Sequence, residues 1–327
     1  MAANPQARPV DPRRDERGAA GETDSLLLET PQCRLVREFT AEYLRRTREG
    51  MWAGSRAALA PLSLESRDRV LDVGCGTGEL SAVLAADSPG TVLGCDVDMA
   101  LLESARTRDG VATVAGNALE LPFADDSFDL VVCQALLINL PDPTAALAEF
   151  ARVSSDLVAA IEPDNSAVDI DSSVDREERL ERRARRAYLD GVRTDVTLGD
   201  GAREAFESAG LDVHGTCRYD HVRRVEPPYN EGAVNDARRK ATGSGLADDR
   251  ETMLAGALTE SEYDDLRSSW REMGRDVIDQ MASREYRREE SVPFFVTTGS
   301  VPEPRGSVPE SEGSVPEPSS STSERER

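Results

Sequence analysis

"VLDVGCGTGEL", residues 70–80, decides how this chain folds. An apolar run ends in Asp72, Gly74, Gly76 and Gly78 alternate behind it, and a segment with Leu80, Val83 and Leu84 on one face follows. Short buried strand, tight turn and helix is the physical reading, because glycine tolerates left-handed backbone and the close approach of other atoms. In an open α/β sheet the turn after the first strand opens the crevice at the carboxyl ends of the strands, where ligands bind. A dinucleotide fingerprint requires Gly-x-Gly-x-x-Gly, and Glu79 stands where its third glycine belongs. Pyrophosphate therefore fits poorly, which disfavours a nicotinamide-dependent oxidoreductase. The helix N-terminus behind the glycines can face a carboxylate, and Asp72 supplies a negative charge suited to an ammonium or sulfonium. The ligand that matches both is a zwitterion.

Outward from the turn, strand-like and helix-like segments alternate. "RVLDV", "TVLGCD", "VATVAG", "FDLVVCQ" and "LVAAIEP" are strands, with Asp98 and Asp142-Pro143 opening helices between them. Beyond lie an arginine-rich helix over 175–190, a short helix closed by Gly210, and a long strand, "LDVHGTCRYDHVRRV". Residues 231–282 read as helical throughout, their best element running from a Thr259/Glu262 capping box through Tyr263, Leu266, Trp270, Met273, Val277 and Met281. "VPFFVTTG" is the last strand. The predicted fold is a Rossmann-like, doubly wound α/β domain over 25–299. It has a mostly parallel seven-stranded sheet, helices on both faces, and a helical insertion (226–290) before the last strand. Residues 1–24 are rich in Pro, Arg, Gly and Ala, and the tail over 300–327 repeats "GSVPE" from Gly299, Gly306 and Gly313; both read as disordered extensions. A helix near the amino end presents Leu35, Phe39 and Tyr43.

Charge is the most unusual property of the composition. The formal net charge is −23, and Lys240 is the only lysine. Such a balance disfavours nucleic acid as a partner, and resembles that of proteins from salt-filled cytoplasms. At about 1 M salt the Debye length is roughly 3 Å, so steering by net charge fades there. The five cysteines have no Cys-x-x-Cys spacing, which argues against a zinc ribbon or a disulfide framework. No apolar run is long enough to span a bilayer and no secretory signal is legible, so the expected location is the cytoplasm.

With these motifs on the page, the chain resembles the class I S-adenosylmethionine-dependent methyltransferases. "VLDVGCGTGEL" looks like that family's first motif, "VLGCDVDMALLESAR" its second, and "VAGNALELPFADDSFDLVVCQALLINLPDP" its third and fourth. The resemblance implies S-adenosylmethionine as cofactor. It would place Asp72, Gly74, Cys75, Gly76, Thr77 and Gly78 around the methionine part, and Asp96 with Val97 at the ribose. Asn117 and Ala118 would meet the adenine edge, and Gln134 would line the cleft. The family often has Asp where Asn117 stands and His where Asn139 stands, and "VSSD" replaces the usual turn before strand five. The reading is methyl transfer to a small-molecule acceptor by in-line displacement. An RNA or protein methyltransferase and a non-catalytic cofactor-binding protein are the alternatives.

Glu162 and Asn165 are acceptor-side candidates, and no catalytic base is assigned. "EPPYN" (226–230) echoes an amino-methyltransferase motif, but sits a strand too late and reads as a turn into a helix. Cys75, Cys95 and Cys133 near strand ends read as small buried hydrophobes rather than a metal site. His214 and His221 fall on opposite faces of one strand, His221 being the possible base. The Arg182–Arg186 run reads as a solvated helix face, and the Tyr263–Met281 stripe as core or a homodimer surface.

Overall fold

Central strands buried along nearly their whole length, and so covered on both faces, build the molecule. The computed structural model describes residues 39–48 and 50–302; the 1–24 extension, Leu35 and the tail beyond 302 lie outside the described residues. In order along the chain come α1 (Ala41–Arg48), two short 3-10 helices (Arg56–Leu62, Leu64–Ser66), β1 (Arg69–Val73), α2 (Glu79–Asp87) and β2 (Thr91–Asp96). Then follow α3 (Met99–Ala105), β3 (Val111–Ala115), β4 (Phe128–Gln134), α4 (Pro143–Val153), β5 (Ser154–Pro163), β6 (Asp169–Ser172), α5 (Glu177–Gly191) and α6 (Ala202–Ser208). The last part comprises β7 (Asp212–Val225), α7 (Glu231–Thr242), α8 (Ser244–Asp248), α9 (Arg250–Ala255), α10 (Glu260–Ala282) and β8 (Arg288–Ser300).

The sheet has eight strands in the order β3-β2-β1-β4-β5-β8-β6, with β7 on the other edge of β8. Strands β1 to β5 pair in parallel, while β8 runs antiparallel to its neighbours. The expected seventh strand is thus accompanied by an eighth, β6. Its four residues, "DIDS", bury only Ile170, so no hydrophobic pattern announced it. β8 is long enough to meet β5 along Val296–Ser300 and its neighbours, and then β6 along Arg288–Ser291. Gly299 and Ser300, in the first copy of the tail repeat, are the last residues of β8, and the Val301 N–H donates to the Asp156 carbonyl.

Strand parity sorts the core into two layers. Leu71, Val73, Val131 and Val158 pack with Leu147, Phe150 and Phe206 from α4 and α6. Val70, Leu130, Val132 and Ile161 pack on the opposite face with Leu80, Leu84, Met51 and Trp52. The helices between β7 and β8 form a cap with its own core: Tyr263, Leu266, Trp270, Met273, Val277 and Met281 of α10 are buried with Leu180, Ala184 and Met253. The stripe considered for a homodimer is therefore covered inside the chain. The capping box of Thr259 and Glu262 starts α10 as expected. Among the described residues no helix is long and apolar enough to cross a membrane.

Candidate active site

Gly74, Gly76 and Gly78 all adopt positive φ (70°, 54° and 78°), the left-handed region that L side chains rarely enter. Space is also closed there. A Cβ on Gly74 would lie 2.8 Å from a Leu136 methyl, and one on Gly76 would lie 2.9 Å from a methyl of Leu44 in α1. The turn carries the chain off β1 toward α2, whose first residue is Glu79. Glu79 accepts from the Thr77 hydroxyl and pairs with Arg108, whose Nε also donates to the Thr77 carbonyl.

At the end of β2, Asp96 accepts the Gly76 N–H on Oδ2 at 2.8 Å and the Asp98 N–H on Oδ1 at 2.9 Å. It is 8% exposed, and burial raises its pKa against the pull of these amides. Each carboxylate oxygen keeps a second acceptor direction. Beside it Val97 is 47% exposed, a large apolar side chain left uncovered at the crevice rim. Asp98 caps α3 by accepting from the amides of Ala100 and Leu101.

Beneath the loop lies Asp72, fully buried and accepting from the Ser81 hydroxyl of α2 at 2.5 Å. Burial pushes its pKa up to about 7, with the Ser81 bond opposing. The sequence suggested an open counter-charge for a cation; the side chain instead ties β1 to α2. Cys75, Cys95 and Cys133 are buried free thiols. Burial raises all three, Cys95 up to about 12.

After β4 the chain turns sharply at Ala135, a non-glycine residue with φ 47°. Such a conformation costs on the order of 1–3 kcal/mol and persists where surroundings over-determine it. Glu162 does this: from within β5 it accepts the backbone N–H groups of Leu136, Leu137 and Ile138 at 3.1, 3.0 and 3.4 Å. It is fully buried, and desolvation pushes its pKa up to about 7 despite these bonds. Glu162 is thus a clamp on the loop after β4 rather than a group facing an acceptor. Asn165 is likewise engaged, donating to the Val196 carbonyl at 2.6 Å. Asn139 is buried and donates to the Ala135 carbonyl.

The remaining candidates fall along the same end of the sheet. Asn117 follows β3, and its Oδ1 accepts the Leu119 N–H at 3.0 Å. Ala118 packs against the core. Gln134 closes β4 and its Nε2 lies 2.9 Å from Met51 Sδ. The strand ends thus bring Gly74–Gly78, Asp96 and Val97, Asn117 and Gln134 to one crevice. The sequence reading named a helix through Tyr43, but not the surface that α1 and the segment after it cover. Leu44, Arg48, Met51 and Trp52 roof this end of the sheet, and their only signal was an amphipathic helix of uncertain address.

Beyond the crevice, a cavity of about 920 Å³ lies among α1, α5, the paired strands β7 and β8 and the cap, with Tyr43, Arg185, Arg223, Lys240, Trp270 and Glu290 in its wall. At its edge Glu177, fully buried, receives Lys240 and the Tyr286 hydroxyl. Arg288 and Arg223 both pair with Glu290. Arg182 is exposed and pairs with Glu178, as a solvated face does, but Arg185 turns inward and donates to the Val168 carbonyl. "EPPYN" is a turn in which Asn230 caps α7 by accepting the Ala233 N–H. His214 is exposed against Ser300, while His221 is buried.

Comparison with known proteins agrees with the crevice. A family described as "Methyltransferase domain" matches residues 71–156. A demethylmenaquinone methyltransferase of Lactiplantibacillus plantarum is 39% identical over 107 residues, covering 30% of this chain and 45% of the relative. One from Beutenbergia cavernae is 39% identical over 118 residues, covering 36% of this chain and 48% of the relative. The chain thus spans less than half the length of these curated relatives. Among solved structures, the YcgJ protein of Bacillus subtilis aligns over 76% of this chain and all of its own, at 16% identity and a TM-score of 0.44. Residues 71–156 are thus similar to a methyltransferase domain, and the glycine loop, Asp96, Asn117 and Gln134 all fall within that stretch.

Proposed function

We propose that this protein transfers the methyl group of S-adenosylmethionine to a small-molecule acceptor. The observation that carries the reading is the pairing of Asp96 with the glycine loop. Asp96 holds the Gly76 amide with one acceptor direction of Oδ2 and keeps others that a diol's hydroxyls would meet. The residues present fit the cofactor: a loop with no room for side chains beside the methionine part, a carboxylate for the ribose, and exposed Val97 against the base. Asn117, Ala118 and Gln134 complete the rim. When bound, the cofactor would supply an already activated methyl group for displacement by the acceptor. What the chain contributes is alignment and exclusion of water, the first worth several orders of magnitude in effective concentration. α1 supports that role, because Leu44 lies over the glycine loop. Clamped by Glu162, the loop after β4 forms the floor.

The acceptor side is built by α5, β7/β8 and the cap, all outside residues 71–156. The acceptor named for the demethylmenaquinone relatives is therefore not carried over; a half-open, charge-lined cavity supports a polar small molecule instead. A cytoplasmic, high-salt setting is part of the same proposal, resting on the net charge of −23. Incubating the purified protein with methyl-labelled cofactor and a fractionated cell extract tests it. Label should enter the small-molecule fraction, and label confined to RNA or protein would overturn it.

A further inference from the structure

Six buried side-chain polar atoms lack a hydrogen-bond partner among the described residues, and four belong to one neighbourhood: Arg48 Nη1, Trp52 Nε1, the Tyr219 hydroxyl and His221 Nε2. Trp52 and His221 are 4% and 6% exposed. Trp52 and Tyr219 rings lie 5.4 Å apart, Tyr219 stacks on Phe294 at 5.5 Å, and His221 meets the same Phe294 edge-on at 6.5 Å. Arg48 lies within electrostatic reach of Tyr43, Tyr219 and Glu162, and also of His221.

Register fixes where this neighbourhood sits. Pro163 at the end of β5 pairs with Phe294, and Phe294 pairs with Tyr219. Tyr219 is thus level with the carboxyl end of β5, and His221 lies beyond it, at the crevice end of the sheet. The same face of β7 continues into Arg223 and Val225, which line the cavity, and α1 contributes Tyr43 and Thr47, on the same helix as Arg48. At about 4.8 Å per strand, β7 is roughly 19 Å from β1, so Tyr219 and His221 face the acceptor side, while Arg48 also lies within electrostatic reach of Glu79 at the start of α2.

Arginine, indole and phenol are donors here, and the guanidinium adds a charge. Burial keeps the Tyr219 phenol protonated, and burial with the cations Arg223 and Arg48 lowers His221 to about 4, so its imidazole is neutral at pH 7. Buried donors without acceptors are costly, and a bound oxygen-rich group would relieve that cost. Nearby acids do not satisfy them: Glu162 is spent on three backbone amides and Glu79 on Arg108 and Thr77.

We propose that Arg48, Trp52, Tyr219 and His221 form an anion-receiving subsite that holds the acceptor through an ionised oxygen, a phenolate, enolate or carboxylate, with the rest of the molecule in the cavity. This rests on the methyltransferase reading. An acceptor bound as its anion has already released its proton to solvent, so the oxygen, or the ring carbon conjugated to it, can take the methyl group without a base from the chain.

The test uses the full chain with S-adenosylhomocysteine bound, and 4-nitrophenol as the probe, whose anion is yellow. Binding should favour the phenolate and lower the apparent pKa of bound probe by about one unit. Benzoate should compete, and benzamide, its neutral analogue, should not. Tyr219→Phe and Arg48→Met should weaken the anions about 10-fold to 100-fold, as expected for hydrogen bonds to a charged group. Tyr219→Phe should leave Tm unchanged or higher, because that hydroxyl has no partner to lose. Benzamide binding as well as benzoate, or no binding of either probe to a protein that holds S-adenosylhomocysteine, would overturn the subsite alone. So would a loss of S-adenosylhomocysteine affinity in Arg48→Met, since the occupant would then be the cofactor's own carboxylate. Failure of wild-type protein to bind S-adenosylhomocysteine would instead remove the reading beneath it.

Discussion

Asp96 shows how far a residue's role can be read before folding. Its position after the second strand, one motif beyond the glycines, marked it as a diol acceptor. The structure gives it two amides, one buried and one part-buried, and the buried one, from Gly76, is twenty residues away in the chain. Two effects should therefore appear together in Asp96→Ala. Losing charged acceptors for the ribose should lower S-adenosylhomocysteine affinity about 10-fold to several hundredfold. Orphaning two amides, at about 1–3 kcal/mol each, should lower Tm of the unliganded protein as well. Calorimetry and a thermal melt on one preparation check both. Asp96→Asn should retain most of the stability, because its oxygen can still serve one amide, but recover little of the affinity. Glu162 illustrates the opposite case: a carboxylate at a strand end looked like a reactive group. Only the three-dimensional turn after β4 reveals that its oxygens are occupied.

Among the elements, β1 and α2 were the most legible, since an apolar run, alternating glycines and a 3.6-residue period leave few alternatives. β6 and α1 were the least, one because four residues carry no pattern and the other because amphipathicity does not say which surface a helix covers. The joint between β1 and α2 has a pH signature. Asp72 has a folded pKa of about 7 against an ordinary 3.8, so the folded chain holds this proton more tightly than the unfolded one. As pH rises from about 4 to about 7 the unfolded state loses the proton first, and stability falls; above 7 it levels off. Glu162 acts in the same direction. Asp72→Asn should thus shrink the fall in Tm between pH 5 and pH 8, as melts across that range can establish. In the cap, Trp270 is buried among α10, α7 and α5 residues. Trp270→Ala should cost about 3–5 kcal/mol of folding stability by denaturant titration, while S-adenosylhomocysteine affinity stays within about twofold, because the crevice is built by other elements.

For the molecule as a whole, composition and motif order gave the layers, the mostly parallel character of the sheet and the position of the cap. They could not give the acceptor, because α1, α5, β7, β8 and the cap meet around the cavity from segments nearly two hundred and fifty residues apart. A chain of net charge −23 repels itself, and screening at about 1 M salt confines that repulsion to roughly 3 Å. Raising potassium chloride from about 0.1 M to about 1 M should therefore raise Tm, which differential scanning calorimetry would reveal. The central claim is cofactor choice, and it rests on a crevice whose glycines alternate and whose third dinucleotide position is Glu79. Titration calorimetry of the purified chain in high salt, with S-adenosylhomocysteine in one series and NAD in the other, tests it most directly. The expected result is one S-adenosylhomocysteine per chain with no heat from NAD; saturable NAD binding with none from S-adenosylhomocysteine would contradict it.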